Sequence, residues 1–172
     1  AGTIIHKKEN VGEVELATMS FGQSFQITPM QMLRAAAAIV NGGNLVTPHF
    51  AIRTCAADKT TYSEFSYSTT QEAVSKETSD TMKDILRQVV EEGGGKNAYI
   101  EGFSIGGKTA TSQKLPRGSG KYIASFIGFS DVTDPSVIAM CLIDEPQGVY
   151  YGGTIAAPVI RELYDNILPY MD

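Results

Sequence analysis

The chain has 172 residues, which is enough for one compact core and too few to expect two. It is 42% hydrophobic and carries a net charge of -5 at pH 7, and its charges do not form the basic face that nucleic-acid binding requires. The longest apolar runs, Ala35–Val40 and Val137–Ile143, are far shorter than the roughly 20 residues that span a bilayer. We therefore expect no nucleic-acid partner and no membrane-spanning segment in these residues.

The cysteines and histidines do not predict a metal site. Cys55 and Cys141 lack the spacing of metal ligands, and Cys141 sits in an apolar run that favours a small buried residue. His6 and His49 are isolated from each other and from any Asp-rich cluster, so surface or hydrogen-bonded core positions are expected for both. We predict neither a metal nor a cofactor.

The first part of the chain predicts one helix after an irregular start at Ala1–Asn10. Thr28-Pro29 favours the beginning of a helix, because Thr caps helices and Pro suits their first turn. Asn41-Gly42-Gly43 is typical of a helix end. The apolar face between these two points is expected to consist of Met30, Leu33, Ala37 and Val40.

A polar stretch separates this helix from a second one. Leu45–Thr54 predicts a strand that Pro48 interrupts, and therefore an edge strand. Ala56–Gln71 is rich in Ser and Thr and predicts an excursion over the surface. Ser75 then begins the clearest helix, whose buried stripe is expected to be Met82, Ile85, Leu86, Val89 and Val90 and which Gly93-Gly94-Gly95 ends.

The last part of the chain changes to the period of strands. Ile105–Gln113, Tyr122–Phe129 and Ser136–Asp144 predict three strands joined by short turns, and short connections make neighbouring strands antiparallel. A closing helix is expected from about Ile155 toward Leu168, with Pro158 in its first turn. The predicted fold class is α+β: helices, an antiparallel three-stranded meander and a closing C-terminal helix.

Gly102–Thr109 matches the phosphate-loop pattern G-x-x-x-x-G-K-T, which makes a nucleotide-binding domain the alternative interpretation. In such a loop the lysine opens a helix whose amides and dipole hold the phosphates. Here the residues that follow Lys108 favour a strand, and Pro116, Gly118 and Gly120 leave no room for a helix. A third reading is that the glycines serve only a tight turn.

A lysine and hydroxyl residues on a strand suit acyl transfer on a peptide that ends in a carboxylate. That chemistry needs a cation, hydroxyl donors for the carboxylate and amides for the oxyanion. On a strand, Lys108, Ala110 and Ser112 are expected to point one way and Thr109, Thr111 and Gln113 the other. Gly106 and Gly107 would let backbone or substrate approach closely.

The segment Gly106–Gln113 resembles the K-T-G strand of the penicillin-binding proteins and serine β-lactamases. Other segments resemble the class B penicillin-binding proteins in the same order along the chain: Phe21-Gly22-Gln23, Ile27–Met32, Ala38–Gly43, Phe126–Phe129 and Tyr151–Val159. The resemblance covers essentially the whole chain. Within that class, His6–Asn10 and Met19–Gln23 look most like the sporulation-specific enzymes.

The resemblance implies a D,D-transpeptidase that cross-links peptidoglycan stem peptides through a serine acyl-enzyme. Its partners would be a stem peptide ending in D-alanyl-D-alanine and β-lactams, which mimic that end. Lys108 would supply positive potential to the substrate carboxylate and to the proton-transfer network. The Thr109 and Thr111 hydroxyls would bind that carboxylate. The Thr111 N–H would form half of the oxyanion hole, and Gln113 would border the acyl chain. Gly107, Ala110 and Ser112 would be further substrate-binding positions.

Two departures from the family pattern stand out. Ala110 occupies the position at which the family usually has glycine. This puts in question the packing distance between this strand and the helix that carries the family's nucleophilic serine. The S-x-x-K and S-x-N motifs are absent, so the nucleophile is expected upstream of these residues. Residues 1–172 would then be the C-terminal half of one transpeptidase domain, inactive alone, with the upstream half as its partner. The family places that domain on the extracytoplasmic face of the cell membrane, attached only through an N-terminal region outside these residues.

Three features have simple structural readings beside the functional ones. Asp144-Glu145 would be a carboxylate pair or, more simply, a solvated turn at a strand end before Pro146. Tyr150–Gly153 would line the floor of the substrate cleft that the resemblance implies, or would pack the closing helix. Gly22-Gln23 would form a turn before the helix at Thr28.

Overall fold

The computed structural model describes residues 3–116 and 118–171. The irregular start predicted for Ala1–Asn10 is therefore described from Thr3 onward; the first two residues lie outside the described part. The helices are α1 (Glu13–Ser20), α2 (Pro29–Val40), α3 (Lys76–Glu91), α4 (Gly152–Ile155) and α5 (Ala157–Ile167). The strands are β1 (Arg53–Cys55), β2 (Tyr62–Glu64), β3 (Ile105–Gln113), β4 (Tyr122–Ser130) and β5 (Val137–Asp144). Three short 3-10 helices cover Lys8–Asn10, Lys96–Ala98 and Leu168–Tyr170.

Helices α2 and α3 begin and end where their sequences predict. The Thr28 hydroxyl accepts a hydrogen bond from the Gln31 N–H at 3.3 Å, and Gln31 Oε1 accepts one from the Thr28 N–H at 2.9 Å. Ser75 caps α3 by accepting from the Thr78 N–H at 3.1 Å. Gly43, at the end of α2, has a positive φ of 91° and passes so close to Val74 O that a Cβ would lie 2.0 Å from it. Only glycine fits there.

The three-stranded antiparallel meander predicted from the sequence is confirmed. The sheet order is β3-β4-β5, and the register pairs Lys108 with Ile127 and Ile127 with Met140. Lys108 lies inside β3, so no helix begins at the lysine of the apparent phosphate loop. A phosphate loop requires that helix, and the interpretation of Gly102–Thr109 as one is therefore wrong.

The sheet has two faces with different coverings. The inner face carries Phe126, which is fully buried and packs in one cluster with Ile160 and Tyr164 of α5. The outer face carries Phe129, which packs with Val40 of α2 and with Val132. Further along the outer face, Lys108 and Ala110 are exposed and Leu142 is 41% exposed. Helices thus cover the inner face, while much of the outer face is bare in the described part of the chain.

Tyr164 joins the closing helix to the middle strand. Its side chain is fully buried, and its hydroxyl donates a hydrogen bond to Gly128 O at 2.6 Å. Burial raises the pKa of this hydroxyl above its usual range, because the phenolate would have to form away from water. The predicted closing helix is confirmed as α5, with Pro158 in its first turn, preceded by the separate short helix α4.

Gly106 and Gly107 make room for aromatic rings of the core. A Cβ at Gly106 would lie 2.2 Å from Phe129 Cζ, and one at Gly107 would lie 2.4 Å from Phe126 Cζ. The two rings sit on opposite faces of the sheet, as the two glycines do. The close approach expected at these glycines is real, and the atoms that approach belong to the protein core.

Several sequence-based predictions are wrong in detail. Helix α1 was not predicted, because its apolar residues do not form one stripe. Instead of a strand at Leu45–Thr54, the structure has an isolated bridge from Leu45 to Thr70 and then the hairpin β1–β2. The second strand of this hairpin, β2, lies within the exposed excursion Ala56–Gln71, while β1 precedes it. The polar composition of this segment correctly predicted that it is exposed, but composition does not indicate which strands pair.

Two apolar residues of the predicted helix faces are exposed. Met30 is 50% exposed in α2 and Ile85 is 48% exposed in α3, whereas Val40 and Val90 are buried as predicted. Periodicity marks the side of a helix that suits a core, and the neighbouring elements decide how much of that side is covered. Among the described residues, no helix is long and apolar enough to cross a membrane.

We expect Gly107→Ala to lower the free energy of unfolding by about 1–3 kcal/mol, because the new methyl would overpack Phe126 and Ile127 O. Urea unfolding of the full-length protein, followed by circular dichroism, measures the change. Gly94→Ala is the matched control, since its Cβ would meet no atom closer than Thr109 Oγ1 at 4.0 Å. Equal losses in the two variants would contradict the packing argument.

We expect Tyr164→Phe to cost about 1 kcal/mol near neutral pH, because the buried Gly128 carbonyl loses its donor. Since the folded-state pKa of Tyr164 is raised, its stabilising contribution is complete below the unfolded pKa near 10 and declines as pH rises above it. The deficit of the variant should therefore shrink above pH 10 in urea unfolding. Tyr170→Phe, at an 88% exposed site, should differ little from wild type at any pH.

Candidate functional site

The site residues predicted from the sequence lie on β3, at one edge of the sheet. Among the described residues, β4 pairs with one side of β3 and no strand pairs with the other. The Lys114 N–H donates to Lys121 O at 2.9 Å, so even-numbered residues of β3 direct their backbone groups toward β4. Thr109, Thr111 and Gln113 therefore direct theirs toward the free edge.

The side chains of β3 alternate as predicted. Lys108, Ala110 and Ser112 lie on the outer face, opposite Ile127, Ser125 and Ile123 of β4. Thr109, Thr111 and Gln113 lie on the inner face, opposite Phe126, Ala124 and Tyr122. The lysine and the two threonine hydroxyls are thus not on one face.

The Lys108 ammonium nevertheless reaches the free edge. Its Nζ donates a hydrogen bond to Thr109 O at 2.7 Å, and that carbonyl is one of the groups directed away from β4. The side chain of Lys108 is exposed on the outer face, so the bend toward the edge brings the positive charge beside the backbone of Thr109. A cation and backbone groups that pair with no other strand of the described residues therefore lie together along the edge of β3.

Helix α4 covers the two threonines from the inner face. The Gly152 N–H donates to Thr111 Oγ1 at 3.2 Å. A Cβ at Gly152 would lie 2.4 Å from Ala110 O, and one at Gly153 would lie 3.2 Å from Thr109 Cγ2, so this contact requires both glycines. Tyr150–Gly153 was expected to pack the closing helix or to line the cleft. The glycines do the packing, and they hold Thr111 in place.

A cleft of about 330 Å³ lies against the inner face of the sheet, at the C-terminal end of β3. From β3 and β4 it is lined by Thr111, Gln113 and Tyr122, and from the end of α1 by Thr18, Phe21 and Gln23. Gly22 has a positive φ of 84° and Gln23 N–H donates to Thr18 O at 3.0 Å, so the turn folds back on α1. The expected glycine turn is present, and it also brings Phe21 and Gln23 to the cleft.

Aromatic rings extend the wall of this cleft beyond Tyr122. Tyr150 stacks on Tyr122 with centroids 4.1 Å apart, and Tyr151 lies 4.7 Å from Tyr150. The hydrogen bond with Tyr150 raises the pKa of the Tyr151 hydroxyl. Sequence reasoning did not select Tyr122 or Phe21 as site residues. Both line the cleft because of how α1 is placed relative to the sheet, which no local pattern reveals.

Other residues considered from the sequence lie elsewhere. His49 stacks on Tyr67 with centroids 3.7 Å apart and bonds Thr47 O. Cys141 is half-buried on the inner face, where burial raises the pKa of its thiol, and Cys55 is exposed. Asp144 and Glu145, expected to be a solvated turn, instead form ion pairs with Lys114 and Lys121.

Comparison with known proteins agrees with this arrangement. The family model of the penicillin binding protein transpeptidase domain matches residues 1–165. Stage V sporulation protein D of Bacillus subtilis is 40% identical over 96% of this chain and 26% of its own length. The probable peptidoglycan D,D-transpeptidase PenA of Neisseria flavescens is 32% identical over 91% of this chain and 38% of its own length.

The fold is also that of a solved structure. Penicillin binding protein 3 of Mycobacterium tuberculosis, complexed with ampicillin, superposes with a TM-score of 0.86 at 24% identity, over 99% of this chain and 41% of that one. The chain thus spans between a quarter and two-fifths of the length of these relatives. With the family model matching nearly every residue, the chain belongs to the transpeptidase domain family of the class B penicillin-binding proteins.

Proposed function

We propose that this chain is part of a peptidoglycan D,D-transpeptidase that cross-links stem peptides through a serine acyl-enzyme. In that reaction a serine attacks the penultimate D-alanine carbonyl of a stem peptide and releases the terminal D-alanine. An amine from a neighbouring peptidoglycan strand then attacks the resulting ester and forms the cross-link. The observation that carries the proposal is the free edge of β3, where the Lys108 ammonium bonds Thr109 O and Thr111, two residues further on, directs its backbone away from β4 and lines the cleft.

The free edge of β3 suits an extended peptide. A substrate that adds to a sheet edge gains main-chain hydrogen bonds while its side chains enter neighbouring pockets. The Thr111 N–H, directed away from β4, would donate to the oxygen that becomes negative as the serine attacks. Gln113 and Gly107 direct their backbone groups to the same edge, and Gln113 also lines the cleft.

The charged end of the substrate would be held by Lys108 and two hydroxyls. Thr111 Oγ1 accepts from the Gly152 N–H, which leaves its own proton free to donate to a carboxylate. Thr109 offers a second hydroxyl on the same face, two residues away. Lys108 adds a full positive charge at the edge, where it would attract the carboxylate. In this proposal Lys108, Thr109 and Thr111 are the catalytic residues on this chain.

The nucleophile is proposed to lie upstream, in the other half of the same domain. These 172 residues contain no S-x-x-K or S-x-N motif, and the outer face of the sheet offers a surface for the missing half. That face presents Ala110 and Ser112 of β3 and the 41% exposed Leu142 of β5. Because alanine replaces the usual glycine at position 110, the nucleophile helix would have to accommodate one additional methyl.

The partners and the location follow from the proposed reaction. β-Lactams would acylate the same serine, as the ampicillin complex of the mycobacterial relative suggests. Peptidoglycan is assembled outside the cytoplasmic membrane, so we place the domain on its extracytoplasmic face. Membrane attachment would come from a region outside these residues, and the similarity to Stage V sporulation protein D points to a role in sporulation.

We expect the full-length protein to form a covalent adduct with penicillin and Lys108→Ala to slow that acylation by a factor on the order of 100, because a positive charge facing the carboxylate is lost. The exposed Lys108 makes one hydrogen bond, so the melting temperature should hardly change. Intact-mass spectrometry over time measures the rate, and Lys96→Ala, another exposed lysine, is the control. No adduct on the wild-type protein would refute the proposed function, and an unchanged rate in Lys108→Ala would refute the role of that lysine.

We expect neither ATP nor GTP to bind, because a strand follows Lys108 where a phosphate loop needs a helix. Titration calorimetry with magnesium and each nucleotide tests this on the full-length protein. Binding in the micromolar range would show that Gly102–Thr109 holds phosphates in spite of its strand geometry.

A further inference from the structure

Four charged side chains lie together at the end of the sheet where β3 passes into β4. Lys114 Nζ is 2.9 Å from Asp144 Oδ1 and 2.8 Å from Glu145 Oε1. Lys121 Nζ is 3.1 Å from Glu145 Oε2. We call Lys114, Lys121, Asp144 and Glu145 the ion cluster.

The ion cluster connects strands that are not neighbours in the sheet. Lys114 follows β3, whereas Asp144 ends β5, and β4 lies between them. Lys114, Lys121 and Asp144 all fall on the outer face by register, so the Lys114 side chain crosses β4 to reach the two carboxylates. Glu145 has a positive φ of 49°, which is uncommon for a residue other than glycine, and its N–H donates to Tyr122 O at 2.9 Å.

The cluster thereby joins two loops that flank the cleft. Loop 114–121, of which the structure describes residues 114–116 and 118–121, connects Gln113 to Tyr122, and both of these residues line the cleft. Loop 145–151 begins at Glu145 and carries Tyr150, which stacks on Tyr122. It leads to Gly152, whose N–H bonds Thr111. Through Lys114, Lys121 and Glu145 the ion cluster is a direct contact between the two loops.

We propose that the ion cluster, with Glu145 at its centre, is a positioning device that holds loop 114–121 so that Gln113 and Tyr122 keep the cleft open for the acyl part of the substrate. The proposal rests on the proposed transpeptidase function for its consequence in binding. Glu145 is a positioning residue, because it acts through the two lysines of the loop and lies outside the cleft lining.

Exposed ion pairs of this kind are strong enough to favour one conformation of a loop and too weak to determine whether the protein folds. The side chains of the cluster are between 30% and 57% exposed, so each pair is screened and contributes little alone. Hydrogen bonds from Lys114 and then Lys121 lower the pKa of Glu145, because both lysines favour its ionised form. A shared carboxylate with two lysines suffices to shift the loop equilibrium by about fivefold.

Hydrogen–deuterium exchange on the full-length protein tests the positioning directly. Glu145→Gln keeps the shape of the side chain and removes its charge, and we expect amides in loop 114–121 to exchange about fivefold faster. Glu162→Gln, at an exposed site on α5, is the matched control and should leave the loop unchanged. About 0.5 M salt should accelerate the wild-type loop and hardly affect Glu145→Gln, which tests the idea even if a variant folds poorly. Equal exchange in wild type and Glu145→Gln, or an equal response to salt, would overturn the proposal.

Penicillin kinetics test the consequence for binding. We expect Glu145→Gln to raise the dissociation constant of the complex that precedes acylation by about fivefold and to leave the acylation rate constant within about twofold. Glu145→Asp, which restores the charge, should recover most of the loss. A change confined to the rate constant would overturn the positioning role. If the wild-type protein were not acylated at all, the proposed function would fail, and the exchange experiment would still decide the ion cluster.

Discussion

The geometry of the site depends on two close contacts, of Gly152 with the backbone of β3 and β4 and of Gly153 with the glycine turn after α3. A Cβ at Gly152 would lie 2.2 Å from Ser125 O, and one at Gly153 would lie 2.3 Å from Gly94 O. Because neither residue has a side chain, the start of α4 settles onto the sheet, and the Gly152 N–H reaches Thr111. The orientation of the Thr111 hydroxyl therefore depends on a contact made some forty residues later in the chain.

Core residues pack against both faces of β3 at its start, and in the described part of the chain no strand pairs with its outer edge. Phe126 and Phe129 occupy the space above Gly107 and Gly106, so the start of β3 is held between two aromatic rings. Helix α5 then fixes the middle strand through Ile160 and the Tyr164 hydrogen bond to Gly128. A rigid strand whose outer edge pairs with no strand in the described part of the chain is a surface on which an extended peptide can be held in one register.

The segment Gly102–Thr109 shows how one string of residues fits two unrelated sites. In a phosphate loop, glycines let the backbone wrap a phosphate, and the lysine begins a helix. In this protein Gly106 and Gly107 let a strand pass beneath aromatic rings, and Lys108 reaches the strand edge. The β-favouring residues Thr109 and Thr111 distinguished the two possibilities, because a helix start after Lys108 would have needed a different sequence there.

The sequence by itself determined the elements whose signals are local. Caps at Thr28 and Ser75, the glycines after α2 and α3, and the alternation along β3 predicted the helices, the meander and the direction of each side chain from Lys108 to Gln113. Only the tertiary structure decided what lies next to those side chains. Phe21 and Tyr122 line one cleft, Tyr150 stacks on Tyr122, and Lys114 pairs with Glu145, although these partners are far apart in the chain. Caps and periodicity arise from contacts within a few residues, whereas the cleft and the ion cluster arise from packing between elements, which the order of residues encodes only through the whole fold.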